Sequence, residues 1–143
     1  SGLVAGLNRI GSDGDIAEFR KDGSTVGSIS TSGGTTSYNT TSDYRLKENV
    51  TEINGASDRL SQLQVKQFIG HDQTVDGFLA HEVQDVVPQA VTGSKDEVDS
   101  NGNPVYQSID HSKLVPLLTA ALQEALTRIE SLENQISNLT GGS

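Results

Sequence analysis

The apolar positions of this chain follow different rhythms in different places. Toward the end, Leu118, Leu122, Ala125, Ile129, Leu132, Ile136 and Leu139 are spaced by alternating steps of four and three. That spacing lines one side of a helix and repeats every seven residues. It predicts a helix from about Ser112 to Leu139, with Leu122, Ile129 and Ile136 at the a positions of a coiled coil and Leu118, Ala125, Leu132 and Leu139 at d. Ser112 is a candidate cap, and Pro116 falls in or near the first turn, where amide donors have no helical partner. Leu114, Val115, Leu117 and Ala121 make the early helix apolar almost all round, which predicts packing on its own domain. Arg128 at g and Glu133 at the next e can pair between chains and fix register. Ile at a with Leu at d is a two-strand preference, so the seam alone does not set the number of chains.

Ahead of this helix the pattern is shorter and mixed. Leu46, Val50 and Ile53 punctuate a stretch read as extended, from Ser42 to Ile53. Asn54-Gly55 is a turn signal, and Ala56–Leu63 is a short helix with Leu60 and Leu63 on one face. Val65–Ile69 and Gly77–Ala80 are read as strands, with Gly70–Asp76 a polar loop between them. Glu82–Val87 is a helical turn ended by Pro88. From Thr92 to Asn103 the chain is polar, with Asn101-Gly102 as a turn and Pro104–Ile109 as a returning strand. Asp99-x-Asn101-x-Asn103 echoes a calcium loop, but the glycine and distal glutamate such loops need are missing, so a hairpin tip is the better reading.

The first 41 residues alternate β-prone runs with Gly-containing turns. Asp15–Arg20 and Ser24–Ser30 flank Lys21-Asp22-Gly23, a strong hairpin signal because the turn needs positive φ. The few apolar positions (Ile16, Phe19, Val26, Ile29) cannot close a core in one copy. Three copies around a common axis could share them, as at the end of a trimeric β-stem. Thr31–Thr41 is where a flexible linker is expected instead, since Thr31–Ser37 contains no apolar residue.

Composition sharpens this picture. The 143 residues carry 10 basic and 19 acidic side chains, a net charge of −9. Before Ser42 the balance is 3 to 4; from Ser42 onward it is 7 to 15. That acidity argues against nucleic acid or an anionic membrane as partner. No apolar run approaches the roughly 20 residues that span a bilayer. The absence of cysteine excludes disulfide and thiol chemistry. The chain has no methionine, even at position 1, and reads as part of something longer. Apolar content of 33% with 4% aromatics is thin for a self-sufficient monomer and points to burial between chains.

The candidate chemistry sits where the composition changes. Ser42 and Lys47 lie five positions apart, and a neutral lysine amine can take the proton from a serine hydroxyl. By itself this spacing is common among surface residues. Hydrolysis of the Thr41–Ser42 peptide requires the Ser42 hydroxyl against the Thr41 carbonyl carbon, a deprotonated base and an oxyanion donor. Bringing a lysine from about 10.4 to near 7 corresponds to roughly 4–5 kcal/mol, which demands burial. A Ser-His-Asp arrangement with His81 as base is the alternative, with His71 and His111 the other histidines. A metal site from His71, Asp72, Asp76 and His81 lacks helical ligand spacing.

The full string Ser42–Val50 (S-D-Y-R-L-K-E-N-V) is followed by the short helix, then Gly77–Val83 (G-F-L-A-H-E-V) and Asp110–Leu118 (D-H-S-K-L-V-P-L-L). Together they resemble the C-terminal intramolecular chaperone domain of bacteriophage tail spikes, tail fibres and endosialidases, the self-cleaving S74 peptidase family that also occurs in the myelin regulatory factor. The resemblance covers about residues 42–139 and is most specific at its start. His81 departs from it, standing where that string more often has glutamine, and leaves the role of position 81 open.

The resemblance implies a homotrimer that helps fold the upstream fibre stem of the same polypeptide and cuts itself off between Thr41 and Ser42. Ser42 and Lys47 would be the catalytic pair, with Asp43, Asn49 and His81 as candidate supporting groups. It implies protruding arms, for which Gly70–Asp76 and the Thr92–Asn103 hairpin are candidates. No cofactor or metal, and no nucleic acid or membrane partner, is expected. Assembly would take place in the host cytoplasm, followed by release from the virion tail. The expected architecture is α+β: residues 1–41 a β-rich stem end and linker, 42–111 a small mixed domain with short strands, and 112–143 the coiled-coil helix with a frayed tail. A non-proteolytic trimerisation cap, or the same module in a membrane-tethered transcription factor, are the alternatives.

Overall fold

The computed structural model describes residues 6–70 and 72–141. The chain divides into two compact units, with the boundary at Thr51/Glu52.

The first unit is an antiparallel sheet of three strands in sequence order, β1 (Gly14–Lys21), β2 (Ser24–Ser32) and β3 (Thr35–Thr40). Asp22 and Gly23 both have positive φ, +51° and +81°. That is the backbone of a two-residue turn whose twist matches its strands, and it sets Lys21 opposite Ser24. A second tight turn at Gly33-Gly34 sets Ser32 opposite Thr35. The linker expected over Thr31–Thr41 is therefore strand. A polar Ser/Thr run needs no core to pair its backbone, and a Gly-Gly turn supplies the reversal. Ala17 faces Ile29, which faces Tyr38. Gly27 lies between Phe19 and Thr40, and a methyl group there would meet the Asn39 carbonyl oxygen at 2.6 Å. Glycine lets β2 and β3 approach that closely.

After the sheet, Ser42–Ile53 is not extended throughout as the apolar spacing suggested. Tyr44–Leu46 forms a turn of 3-10 helix. The Asp43 carboxylate accepts the Arg45 backbone N–H at 2.9 Å and the Arg45 guanidinium at 2.8 and 2.9 Å. A side chain competing for its neighbour's backbone in this way favours a turn over a strand.

The second unit holds α1 (Ala56–Leu60), the hairpin β4 (Lys66–Gly70) and β5 (Gln73–Gly77), α2 (Ala80–Val86), the short pair β6 (Val91–Thr92) and β7 (Ser108–Ile109), and α3 (Val115–Thr140). Its core is Ala56, Val83, Val87, Ala90, Leu114, Leu117 and Ala121. Three expectations are corrected here. The strand placed at Gly77–Ala80 is Gln73–Gly77, because the polar run pairs back onto β4, with Gln73 opposite Gly70 and Asp72 at φ +64°. The returning strand Pro104–Ile109 shrinks to Ser108–Ile109 plus one bridge, Val98 to Pro104. Asp110, not Ser112, caps the last helical segment. Its carboxylate accepts the Ser112 N–H at 3.0 Å, opening a 3-10 turn (His111–Leu114) that runs into α3. Pro116 sits in the first turn of α3, as its missing N–H allows.

Candidate functional site

Thr41 is the last residue tied to the sheet. Its backbone N–H donates to the Val26 carbonyl at 3.1 Å, and its hydroxyl donates to the Thr25 carbonyl at 3.1 Å. Ser42 follows, exposed. Then comes the Asp43-capped turn, in which the Leu46 N–H donates to the Asp43 carbonyl and the Lys47 N–H to the Tyr44 carbonyl. A fully extended run from Ser42 to Lys47 would separate them by about 17 Å. The 3-10 turn, rising about 2 Å per residue, shortens that path. Both side chains are exposed on the single chain, and no hydrogen bond joins them among the described residues. The turn thus brings two candidates into one short segment without a hydrogen bond between them.

The supporting candidates divide. Asp43 shapes the turn, and its carboxyl is held below the usual carboxylate range by the Arg45 side chain and then by the Arg45 backbone N–H. Asn49 has φ +51°, a left-handed conformation that asparagine adopts more readily than most residues, so the backbone accounts for its presence. His81 lies in the second unit, half-buried on α2, beside a polar cleft of about 280 Å³ shared with Lys95, Glu97 and Tyr106. His111 stacks obliquely on Phe78, ring centroids 6.4 Å apart. His71 lies outside the described residues. Asp76 accepts from Gln67, and the Asp99 carboxylate is occupied by the Asn103 side chain and then by the backbone N–H groups of Asn103 and Asn101, which hold it below the usual range.

All seven seam residues lie on α3. Leu118, Leu122, Ile129, Leu132, Ile136 and Leu139 are each about half exposed or more, and Ala125 is half-buried. Every described residue from Leu126 to Gly141 is exposed. The helix therefore leaves its own core after roughly three turns and continues for about 22 Å. Leu126, at an e position, is also 51% exposed. It was missed by the strict heptad reading and widens the apolar stripe beyond two residues per heptad.

Two further groups were not foreseen. Glu124, on the opposite edge of α3 from the seam, accepts the backbone N–H groups of Ala56 and Ser57 at 2.8 Å each. Gly55 precedes α1 and has no side chain to cap it, so a carboxylate 68 residues away does so. These amides, chiefly that of Ser57, hold the Glu124 carboxyl below its usual range. Lys66 of β4 pairs with Glu82 of α2, the acid of the Gly77–Val83 string, and the second Glu82 oxygen is buried with no protein partner among the described residues. The bare Gly55 before a helix was the only signal in the sequence for the first. For the second there was none.

Residues 42–92 match the family described as chaperone of endosialidase (peptidase S74). The chain is 30% identical over 102 residues to the long tail fiber protein Gp37 of Enterobacteria phage K3, a match covering 66% of this chain and 8% of that protein. It is likewise 30% identical over 102 residues to Gp37 of Enterobacteria phage T2, covering 66% of this chain and 7% of that protein. The chain thus spans less than a tenth of the length of these relatives. Among the described residues, no helix is long and apolar enough to cross a membrane.

Proposed function

We propose, for a chain whose residues 42–92 carry a chaperone-of-endosialidase segment, that it works as a three-copy folding helper at the end of a phage tail fibre and frees the stem by cutting its own Thr41–Ser42 bond. The observation that carries this reading is a coincidence of boundaries. The family match begins at Ser42, and the last residue bonded into the sheet is Thr41.

In the proposed reaction Lys47 Nζ accepts the proton of the Ser42 hydroxyl, and Oγ bonds to the Thr41 carbonyl carbon. The C–N bond breaks, the Ser42 nitrogen takes up the proton, and Thr41 is left as an ester on Ser42 Oγ. Water opens that ester, leaving a Thr41 carboxylate and a free Ser42. Lys47 must be unprotonated for the first step, a state favoured by burial. In one copy it is exposed. Packing of copies along the α3 stripe would supply that burial and make cutting follow assembly. The released stem then could not refold once melted, so its persistence would be kinetic.

A cap that trimerises without cutting is favoured by one observation, the exposed and unbonded pair Ser42 and Lys47. Denaturing gels and intact mass of wild type, Ser42→Ala and Lys47→Ala separate the two. Self-cleavage predicts fragments split after Thr41 in wild type and one intact band in each variant. An intact wild type supports the cap, and a cut Ser42→Ala chain removes Ser42 from the chemistry.

A further inference from the structure

The peptide proposed for cleavage lies between two anchored residues. On its acyl side, Thr41 is fixed twice to consecutive carbonyls of β2, by N–H to Val26 and by hydroxyl to Thr25, both at 3.1 Å. On its amine side, Asp43 is fixed by three hydrogen bonds to Arg45. Ser42 is the one residue between them. These Thr41 bonds exist only when β2 and β3 are paired, since Thr41 continues the register that sets Gly27 opposite Thr40.

We propose that the Thr41 hydroxyl is a positioning group that makes cutting conditional on closure of the terminal β2–β3 hairpin. This rests on the Ser42/Lys47 reading above and adds what that reading leaves open: which part of the stem the cut senses. An amide bond alone leaves the end of a strand free to fray. The added hydroxyl bond fixes χ1 and holds the Thr41 Cα over β2, so that the plane of the following carbonyl varies chiefly through one torsion. Attack by a neighbouring hydroxyl depends on that orientation, because only aligned approaches at about 3–3.5 Å are productive. An unpaired hairpin releases both anchors, and the carbonyl samples many orientations for each productive one. The cut therefore reads completion of the last folded element of the stem, a condition added to the packing of copies that buries Lys47.

The test follows cleavage of the 143-residue chain by pulse-labelling and denaturing gel, in wild type, Thr41→Val, Thr41→Ser and Gly27→Val. Valine keeps the branched shape and the N–H bond but loses the hydroxyl. It is expected to slow cutting about three- to tenfold, the range of one hydrogen bond. Serine keeps the hydroxyl and is expected to stay within about twofold of wild type. The order of these two variants is the diagnostic. A role limited to strand propensity would favour valine over serine; positioning by the hydroxyl favours serine. Gly27→Val, at a residue with no side chain to take part in the chemistry, forces a side chain against the Asn39 carbonyl and is expected to slow cutting further, with circular dichroism reporting that the helical unit stays folded. Thr41→Val cut as fast as wild type, or Gly27→Val cut at the wild-type rate with its hairpin lost, overturns the inference and leaves the Ser42/Lys47 reading standing. A wild-type chain that is never cut overturns both.

Discussion

The sheet of β1 to β3 and the helical unit that follows solve the problem of a thin apolar composition in opposite ways. The helical unit gathers seven buried apolar residues into one cluster, with Val83 and Val87 fully enclosed. In the sheet, Gly27 is the single buried residue among Gly14–Thr40. Its order comes from the backbone ladder and polar cross-links: Asn39 to Ser28 and Ser30, Asp13 to the Gly33 N–H, and Glu18 to Thr25 and Arg20. Three strands with both faces wet are marginal alone. One unit carries its own core and the other has none, and that asymmetry is what the proposed folding-helper reading draws on.

The largest effect should follow from opening the helical core. Leu117 is 3% exposed, and Leu117→Ala should cost about 2–5 kcal/mol. Urea melts followed by helical dichroism would measure it. A loss under about 1 kcal/mol would mean that the small cluster does not hold the unit, and the contrast with the sheet would fall. Next, Gly27→Ala should cost about 1–3 kcal/mol in the sheet, because its methyl group meets backbone and not a movable side chain. Amide exchange of β2 and β3 would report it. Unchanged protection there would show that the strands slide apart freely enough to admit a side chain.

The same asymmetry decided how much could be read from the residues. Where apolar side chains set the structure, the period was legible: the seam from Leu118 to Leu139 lies on one helix, and Leu60 and Leu63 flank the core. Where hydrogen bonds set it, the period misled. Thr31–Thr41 looked like a linker because β3 has no inward face to mark it. Gly70–Asp76 looked like a loop because β5 is polar and exposed. Ser42–Ile53 looked extended because a carboxylate gripping its own neighbour's backbone leaves no pattern of hydrophobicity. Ser42 and Lys47 were singled out by the string they occupy, while their exposure in one chain was beyond any local pattern. The Glu124 contact with α1 joins positions far apart in the chain, which spacing alone does not encode.

That contact supplies the next, smaller effect. The folded-state Glu124 carboxyl is held below its usual range by the amides of Ser57 and Ala56, so it keeps its charge at a pH where the unfolded chain has begun to protonate. Its contribution is therefore complete above the ordinary carboxylate pKa of about 4.3. It is lost as pH falls through the lower folded value. Glu124→Gln should lower the thermal midpoint of the helical unit at neutral pH, by less than Leu117→Ala does, and the gap to wild type should close in acid. A gap of constant size from neutral pH to pH 3 would show that shape, not charge, holds the first turn of α1.

The smallest effect on a single chain should come from its most conspicuous apolar surface. Ile129 and Ile136 are 50% and 59% exposed, and they lie beyond the point where α3 last buries a side chain in its own core, at Ala121. An Ile129→Asp/Ile136→Asp chain should thus melt within about 0.5 kcal/mol of wild type when dilute, as exposed substitutions do. The end of α3 is a lone helix in one copy, and such a helix is marginal without packing. In wild type its helical signal should therefore rise with protein concentration as copies bury the stripe against one another, while the double variant stays flat. Dichroism across a hundredfold dilution series, paired with sedimentation, would show both. A variant destabilised by more than about 1 kcal/mol at the lowest concentration would mean that the stripe packs within its own chain. The stripe would then belong to the core of the helical unit and would not be free to join copies.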